Sequence, residues 1–447
     1  MHTQSDPQCR CGATIVDVAQ AAWTTRRVIA FSNDAEIQRF IGDQWLTTSG
    51  RSRSLDGCTS LTALDCTGLT RLGSVGDHWL SSCHRLTTLD CTVLTHLASV
   101  GDYWLSYCAS LTALDCAGLT QLATVGHHWL TECKNLTMLD CKSLTRLATV
   151  GGFWLSNCAS LTKLDCTGLT RLATVGYCWL CGCSSLTELN CTGLAQLTEV
   201  DGKWLFHCTS FTSLDCLGLT QLATVGQHWL GGTKITALDC TGLTQLTNVG
   251  HSWLCCTSLT MLDCTGLTQL ASVEYDWLFG CTSLTALDCT GLAQLASVGN
   301  EWLAECTRLT SLDCTELTRL QTVGHHWLRG CTSLTALNCK GLLRLANVGH
   351  CWLRDCNSLT KMDCTGLAQL ASVGDEWLAE CTKLTSLDCT ELTRLQTVGQ
   401  HWLRGCTRLS ALNCTELTQP PLRGTCWRSR FPVEGEEKPF RSEVWPR

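Results

Sequence analysis

Residues 61–83 read LTALDCTGLTRLGSVGDHWLSSC, and residues 86–108 read LTTLDCTVLTHLASVGDYWLSYC. The phrase returns, with substitutions, as far as Thr418. A fixed period between 20 and 50 residues marks a stacked array. It displaces the two or three separate domains that 447 residues would otherwise suggest.

Counting Leu61 as position 1, two periodicities share each repeat. Leu64 and Cys66 are two apart, the spacing of one face of a strand. Val75, Trp79 and Cys83 are four apart, the spacing of one helical face. Each repeat is therefore expected to be a short strand, a turn and a short helical segment. Gly76 and Asp77 stand near the expected helix start, where small or acidic residues suit unpaired amides. No repeat can bury its apolar side alone, so repeats stack with their strands in a parallel sheet. The expectation is an α/β solenoid of about 15 repeats of 24–25 residues, sheet on the concave face and helical segments on the convex face.

The tryptophan at position 19 recurs from Trp79 to Trp402 and is expected to form an indole column in the core, its N–H groups donating to backbone carbonyls. The chain holds 36 cysteines. Their phased placement at positions 6 and 23 of an apolar repeat differs from a disulfide framework in a short secreted chain, and buried inert thiols are expected.

The order Leu-x-x-Leu-x-Cys-x-x-Leu-x-x-Leu-x-x-Val-Gly-x-x-Trp-Leu-x-x-Cys resembles leucine-rich repeats, in particular the BspA-like class of bacteria and protists. Val75-Gly76 is similar to the Ile-Gly of that class, Trp79-Leu80 to its Ala-Phe, and Cys83 to its Cys, over about residues 55–418. Here Trp stands where Ala is usual, and Cys66 where an aliphatic residue is usual. The resemblance implies a solenoid used for binding or adhesion, often extracellular, and not an enzyme.

Residues 1–54 are read as an N-terminal cap and insertion, 55–419 as the solenoid, and 420–447 as a polar, Pro-rich, flexible tail. The start, MHTQSDPQCRCGATIVDVAQ, lacks a basic stretch followed by an apolar one. No secretory signal is read there, and a cytoplasmic site is expected. No apolar run reaches about 18 residues, so no membrane span is expected. The net charge of −7 leaves no electrostatic footprint for nucleic acid. Two adjacent repeats are one residue short, with Trp229, Trp253 and Trp277 each 24 apart. That irregularity is either a binding notch or a tolerated deletion. Residues 293–341 and 368–416 are nearly identical, a duplication three repeats apart.

Strand positions 3 and 5 point outward. Position 5 is an Asp/Asn row that includes Asp165, Asp215, Asp239, Asp263, Asp288 and Asp313. Position 3 varies, with Lys163, Glu188 and Met261 among its residues. One reading is an acidic face for a basic protein segment, with position 3 supplying discrimination. The other is that each Asp accepts local hydrogen bonds from turn amides or Thr hydroxyls. Histidines cluster just before the tryptophans on an expected exposed rim, and only CWLCGC, at Cys178, Cys181 and Cys183, approaches a metal-ligand spacing. Serines and histidines are repeat-borne and interchangeable, whereas an active site needs a unique set. The expectation is a monomeric, non-enzymatic scaffold that binds a protein, basic if the Asp row is the contact, without cofactor, metal or nucleic acid. The alternative is a cell-surface adhesin or polysaccharide-binding protein of the BspA-like type.

Overall fold

The computed structural model describes residues 28–30, 55–67, 69–255 and 257–413. The chain divides into two compact units, Met1–Leu246 and Thr247–Arg447, and the boundary falls within the second of the two short repeats. Each unit is a parallel-strand β-solenoid with seven tryptophan-bearing coils, Trp79 to Trp229 in the first and Trp253 to Trp402 in the second. The expected N-terminal cap and C-terminal tail lie outside the described residues, except for Val28–Ala30, which pairs in parallel with Ala63–Asp65.

Every regular coil contributes two short strands. The first covers positions 3 to 5. In Lys163–Asp165 the flanking residues face outward while Leu164 is buried, the alternation a pleated strand imposes. Its register sets each residue against its equivalent in the next coil: Lys163 against Glu188, Leu164 against Leu189, Asp165 against Asn190. The same holds in the second unit, where Ser311, Leu312 and Asp313 oppose Ala336, Leu337 and Asn338. The second strand is the two-residue (Ser/Thr)-Val element at positions 14 and 15, paired coil to coil as in Thr149–Val150 with Thr174–Val175 and Ser297–Val298 with Thr322–Val323.

The expected helical segments are not there: no described residue is helical. The stretch from position 16 to 23 is instead a series of turns in which alternate residues are left-handed, for example His78 (φ 61°), Leu80 (φ 58°) and Ser82 (φ 56°). The reason is spacing. Paired strands lie about 4.8 Å apart, whereas stacked helices need about 10 Å. Because the Val strand four to five residues before the tryptophan is paired coil to coil, the tryptophan segment must repeat at nearly strand spacing. Ring centroids of successive tryptophans measure that step directly, 5.3 Å from Trp154 to Trp179 and 5.1 Å from Trp327 to Trp352. The backbone groups bond between coils rather than within one: His78 N–H donates to Asp102 O (2.6 Å), Leu105 N–H to Trp79 O (3.1 Å) and Ser82 N–H to Ser106 O (2.8 Å). Asp77 does not cap a helix either; its Oδ1 accepts the N–H of Asp102 in the next coil at 2.9 Å.

The column of 14 tryptophans is buried, with Trp79 at 3% and Trp402 at 4% the most exposed members. In the first unit the rings from Trp79 to Trp229 stack almost parallel. In the second unit those from Trp253 to Trp402 do the same. At Trp104, Trp129, Trp154, Trp179, Trp302 and Trp327 the expected carbonyl acceptor is not found, and Nε1 is buried without a protein acceptor. The geometry favours stacking instead, with each indole burying about 150–250 Å².

Candidate functional site

The position 5 residues are placed by their own turns. Each carboxylate accepts, through Oδ1, the backbone N–H two residues on: Asp165 from Thr167 (3.1 Å), Asp215 from Leu217 (2.9 Å), Asp239 from Thr241 (2.8 Å), Asp263 from Thr265 (2.9 Å), Asp288 from Thr290 (2.9 Å) and Asp313 from Thr315 (3.0 Å). These are Asx turns that carry the chain out of the strand. Asp288 also accepts the Thr290 hydroxyl at 2.6 Å. The two Thr290 bonds hold its carboxyl below the usual Asp range. The local reading of the Asp row is thus present in the geometry. It leaves the row on the outer surface, with Asp215, Asp239, Asp288 and Asp313 exposed and Asp165 and Asp263 half-buried.

Carboxylates opposed at strand spacing repel one another. The chain relieves this at intervals with Asn: Asn190 Nδ2 donates to Asp165 Oδ1 (3.1 Å) and Asn338 Nδ2 to Asp313 Oδ1 (3.0 Å). Beside the row, position 2 threonines donate to the carbonyl of their counterpart one coil back, as Thr187 to Thr162 (3.1 Å) and Thr335 to Thr310 (3.0 Å).

The structure groups the position 3 and 5 residues within each unit. Lys163, Asp165 and Glu188 sit together in the first unit, where Lys163 Nζ meets Glu188 Oε2 at 2.8 Å between two exposed side chains. Asp215 and Asp239 form a bridge further along that unit. In the second unit Met261, 60% exposed, stands beside Asp263, which opposes Asp288, which in turn opposes Asp313.

Two further rows are not visible from spacing alone. Position 17 residues use a side-chain acceptor to take the backbone N–H of position 17 in the next coil: Asp102 from His127 (2.7 Å), His127 Nδ1 from Gly152 (2.9 Å), Asn300 from His325 (2.8 Å) and His325 Nδ1 from His350 (2.9 Å). The frequency of Asp, Asn and His at that position was the available signal, weakened by Gly152, Tyr177, Gly202, Gln227, Tyr275 and Gln400 in other coils. Position 18 rings stack outside the indoles: His78, Tyr103, His128 and Phe153 follow one another at 4.4–4.5 Å and nearly parallel. Burial first, and His127 second, lower the pKa of His128. The expected histidine rim is therefore partly a structural ladder.

The model of the BspA-type leucine-rich repeat region matches six times, at residues 29–146, 98–217, 145–260, 174–310, 252–343 and 296–419. The chain belongs to the BspA-type leucine-rich repeat family. Among solved structures, this BspA-type array is similar to a leucine-rich repeat protein from Bacteroides ovatus, at 16% identity over 86% of each chain with a TM-score of 0.52. It is also similar to the functional domain of InlJ from Listeria monocytogenes, which includes a cysteine ladder, at 25% identity over 76% of this chain and 69% of that one with a TM-score of 0.40. A leucine-rich cell surface protein from Faecalibacterium prausnitzii matches at 11% identity over 87% and 88% of the two chains, with a TM-score of 0.35. No curated protein matches. Leucine-rich repeat proteins are generally non-enzymatic scaffolds, and BspA-like ones are often found at the cell surface. No described helix is long and apolar enough to cross a membrane.

Proposed function

We propose that this BspA-type array is a monomeric, non-enzymatic scaffold that holds a protein partner, rich in basic side chains, against its x-Leu-Asp strand face. The observation that carries the reading is the outward row itself. The Asx turns fix the carboxylates, and the neighbouring position 3 residues differ from coil to coil, as Lys163, Glu188 and Met261 do. A rigid row of like charge attracts an opposite one, and the variable row beside it supplies discrimination. A cytoplasmic site fits the buried free thiols of Cys108, Cys133, Cys158 and Cys183, since reducing compartments keep thiols free. A second reading, a surface adhesin or polysaccharide binder, is favoured by family membership.

The test separates charge from turn-making. Asn keeps the Oδ1 acceptor that each turn uses and removes the charge, as Asn190 and Asn338 already do in this row. Asp263→Asn, Asp288→Asn and Asp313→Asn together should weaken binding of a lysine-rich peptide by ~10-fold, from about 0.2–1 kcal/mol per exposed pair, with the circular dichroism spectrum unchanged. Equal binding by parent and triple variant would remove the carboxylate row from the function. Retention on an immobilised neutral polysaccharide, with no affinity for the peptide, would support the adhesin instead.

A further inference from the structure

Cys178-Trp179-Leu180-Cys181 puts thiols at positions 18 and 21 of one coil. The same two positions hold His78 and Ser81, Tyr103 and Ser106, His128 and Thr131, or Lys203 and Phe206 in other coils. Cys181 N–H donates to Cys178 O at 3.2 Å, so the two residues close a single four-residue turn. Across such a turn the Cα atoms lie within about 7 Å. A disulfide spans about 4.4–6.8 Å between Cα atoms. Cys181 is partly exposed and Cys178 lies at the surface edge, 5% exposed, while Cys183 two residues on is fully buried.

The next coil supplies a fixed cation beside the pair. Cys178 N–H donates to Gly202 O and Gly182 N–H to Phe206 O, both at 2.8 Å, holding the two coils flush. Lys203 follows Gly202, and its ammonium lies 5.3 Å from the centre of the Tyr177 ring and 5.7 Å from that of Phe206. The aromatic faces hold the charge near the turn. This is the chemical setting of a reactive thiol: accessible, next to a second thiol, and under positive charge.

We propose that Cys178 and Cys181 form a dithiol that exchanges with small-molecule disulfides, an activity separate from the strand face. The Cys181 thiolate attacks one sulfur of the small disulfide, forms a mixed disulfide and releases one thiolate. Cys178, giving its proton to solvent, attacks Cys181 Sγ of that mixed disulfide and releases the second thiolate. The protein pair loses two electrons and two protons, and the small disulfide is reduced to two thiols. Cys181 is the attacking residue because the Cys178 thiol, chiefly, and the Lys203 charge favour its ionised form. Cys178 shifts the other way, its thiol raised by the contact with Cys181 and by burial. Cys183, by contrast, is pushed up to about 12 by burial.

The experiment treats the folded full-length chain with an aromatic disulfide that releases a coloured thiolate, followed by non-reducing peptide mapping. The expected product is an internal disulfide within residues 178–181, with two coloured thiolates released per such bond. Cys178→Ser should release one and leave a stable adduct on Cys181. Lys203→Met should slow the attack several-fold at neutral pH, with less difference well above the ordinary thiol pKa. A folded protein whose Cys181 stays unlabelled overturns the proposal. So does a wild-type adduct at Cys181 as persistent as that of Cys178→Ser. Neither result bears on the Asn series, which leaves this coil untouched.

Discussion

The cysteine at position 23 is more than a small apolar filler. Its thiol donates to the carbonyl of the position 20 leucine one coil back: Cys133 to Leu105, Cys158 to Leu130 and Cys183 to Leu155 at 3.0 Å, Cys331 to Leu303 at 3.1 Å. The two short repeats keep a donor in this slot without cysteine. Thr233 and Thr257 are buried there and donate within their own coil, to Leu230 (2.8 Å) and Leu254 (3.2 Å) three residues earlier, rather than one coil back. Burial of the thiols was legible from their phase in the repeat. The donor role was not, because its acceptor lies 28 residues earlier along the chain. The role has a consequence at high pH. Burial pushes Cys108, Cys183 and Cys331 up to about 12 from an ordinary 9.0. A raised folded-state pKa contributes stability that is fully present below the unfolded thiol's value and is lost as pH rises toward the folded one. The array should therefore hold its stability to about pH 9 and lose it between about 9 and 12. Thiolate absorbance and loss of circular dichroism should rise together in that window. Ionisation of these thiols with the fold intact would contradict their burial.

The element that sequence periodicity misjudges is Val-Gly-x-x-Trp-Leu-x-x-Cys. Spacing of four places Val75, Trp79 and Cys83 on one side in a helix. It does so equally in a chain that alternates right- and left-handed residues, and periodicity cannot separate the two. What decides is the pairing of the Val strands just before it, which sets a step too small for helices. Left-handed conformations at Leu80, Tyr103 or Phe153 each cost about 1–2 kcal/mol. Bonds between coils and the stacked indoles offset that cost. The first strand of the repeat, by contrast, was legible from Leu64 and Cys66 two apart, and so was the outward direction of the Asp row, whereas the second, two-residue (Ser/Thr)-Val strand was not expected. A far-UV spectrum of the intact protein should show parallel-strand and turn signal without the helical double minimum. Trp302, stacked on Trp277 at 5.6 Å and Trp327 at 5.3 Å, carries the element's packing. Trp302→Ala should destabilise by about 3–5 kcal/mol in urea titration, and Trp302→Phe by clearly less, since a ring remains in the stack. Equal losses for the two would show that neither the retained volume nor the retained ring supports the column.

At the scale of the molecule, each coil touches its neighbours and little else, which is why a repeated phrase was enough to read the array. The position of the break between units was less legible. It lies near Thr247, among the short repeats, and their missing residue removes the turn that regular coils make after position 23, which is absent after Thr233 and Thr257. Interchangeability of coils is visible in the copied stretches, both in the second unit. Glu305 N–H donates to Arg329 O and Glu380 N–H to Arg404 O, at 2.7 and 2.6 Å. The same residues form ion pairs, Arg329 with Glu305 at 3.7 Å and Arg404 with Glu380 at 3.4 Å. Deleting residues 293–367 removes 75 residues (368 minus 293), three whole coils, and joins Gly291-Leu292 to Ala368-Gln369. The junction reproduces the natural Gly366-Leu367-Ala368-Gln369, and Glu376 then takes the repeat position that Glu301 now holds, one coil after Asp276. The shortened chain should fold, keep its stacked-indole signal, and unfold with a urea m-value lower by about a fifth, the share of three coils in fourteen, because m follows the surface exposed. Failure to fold would mean that the copied coils have acquired unique neighbours, and the one-dimensional description of this unit would then be wrong.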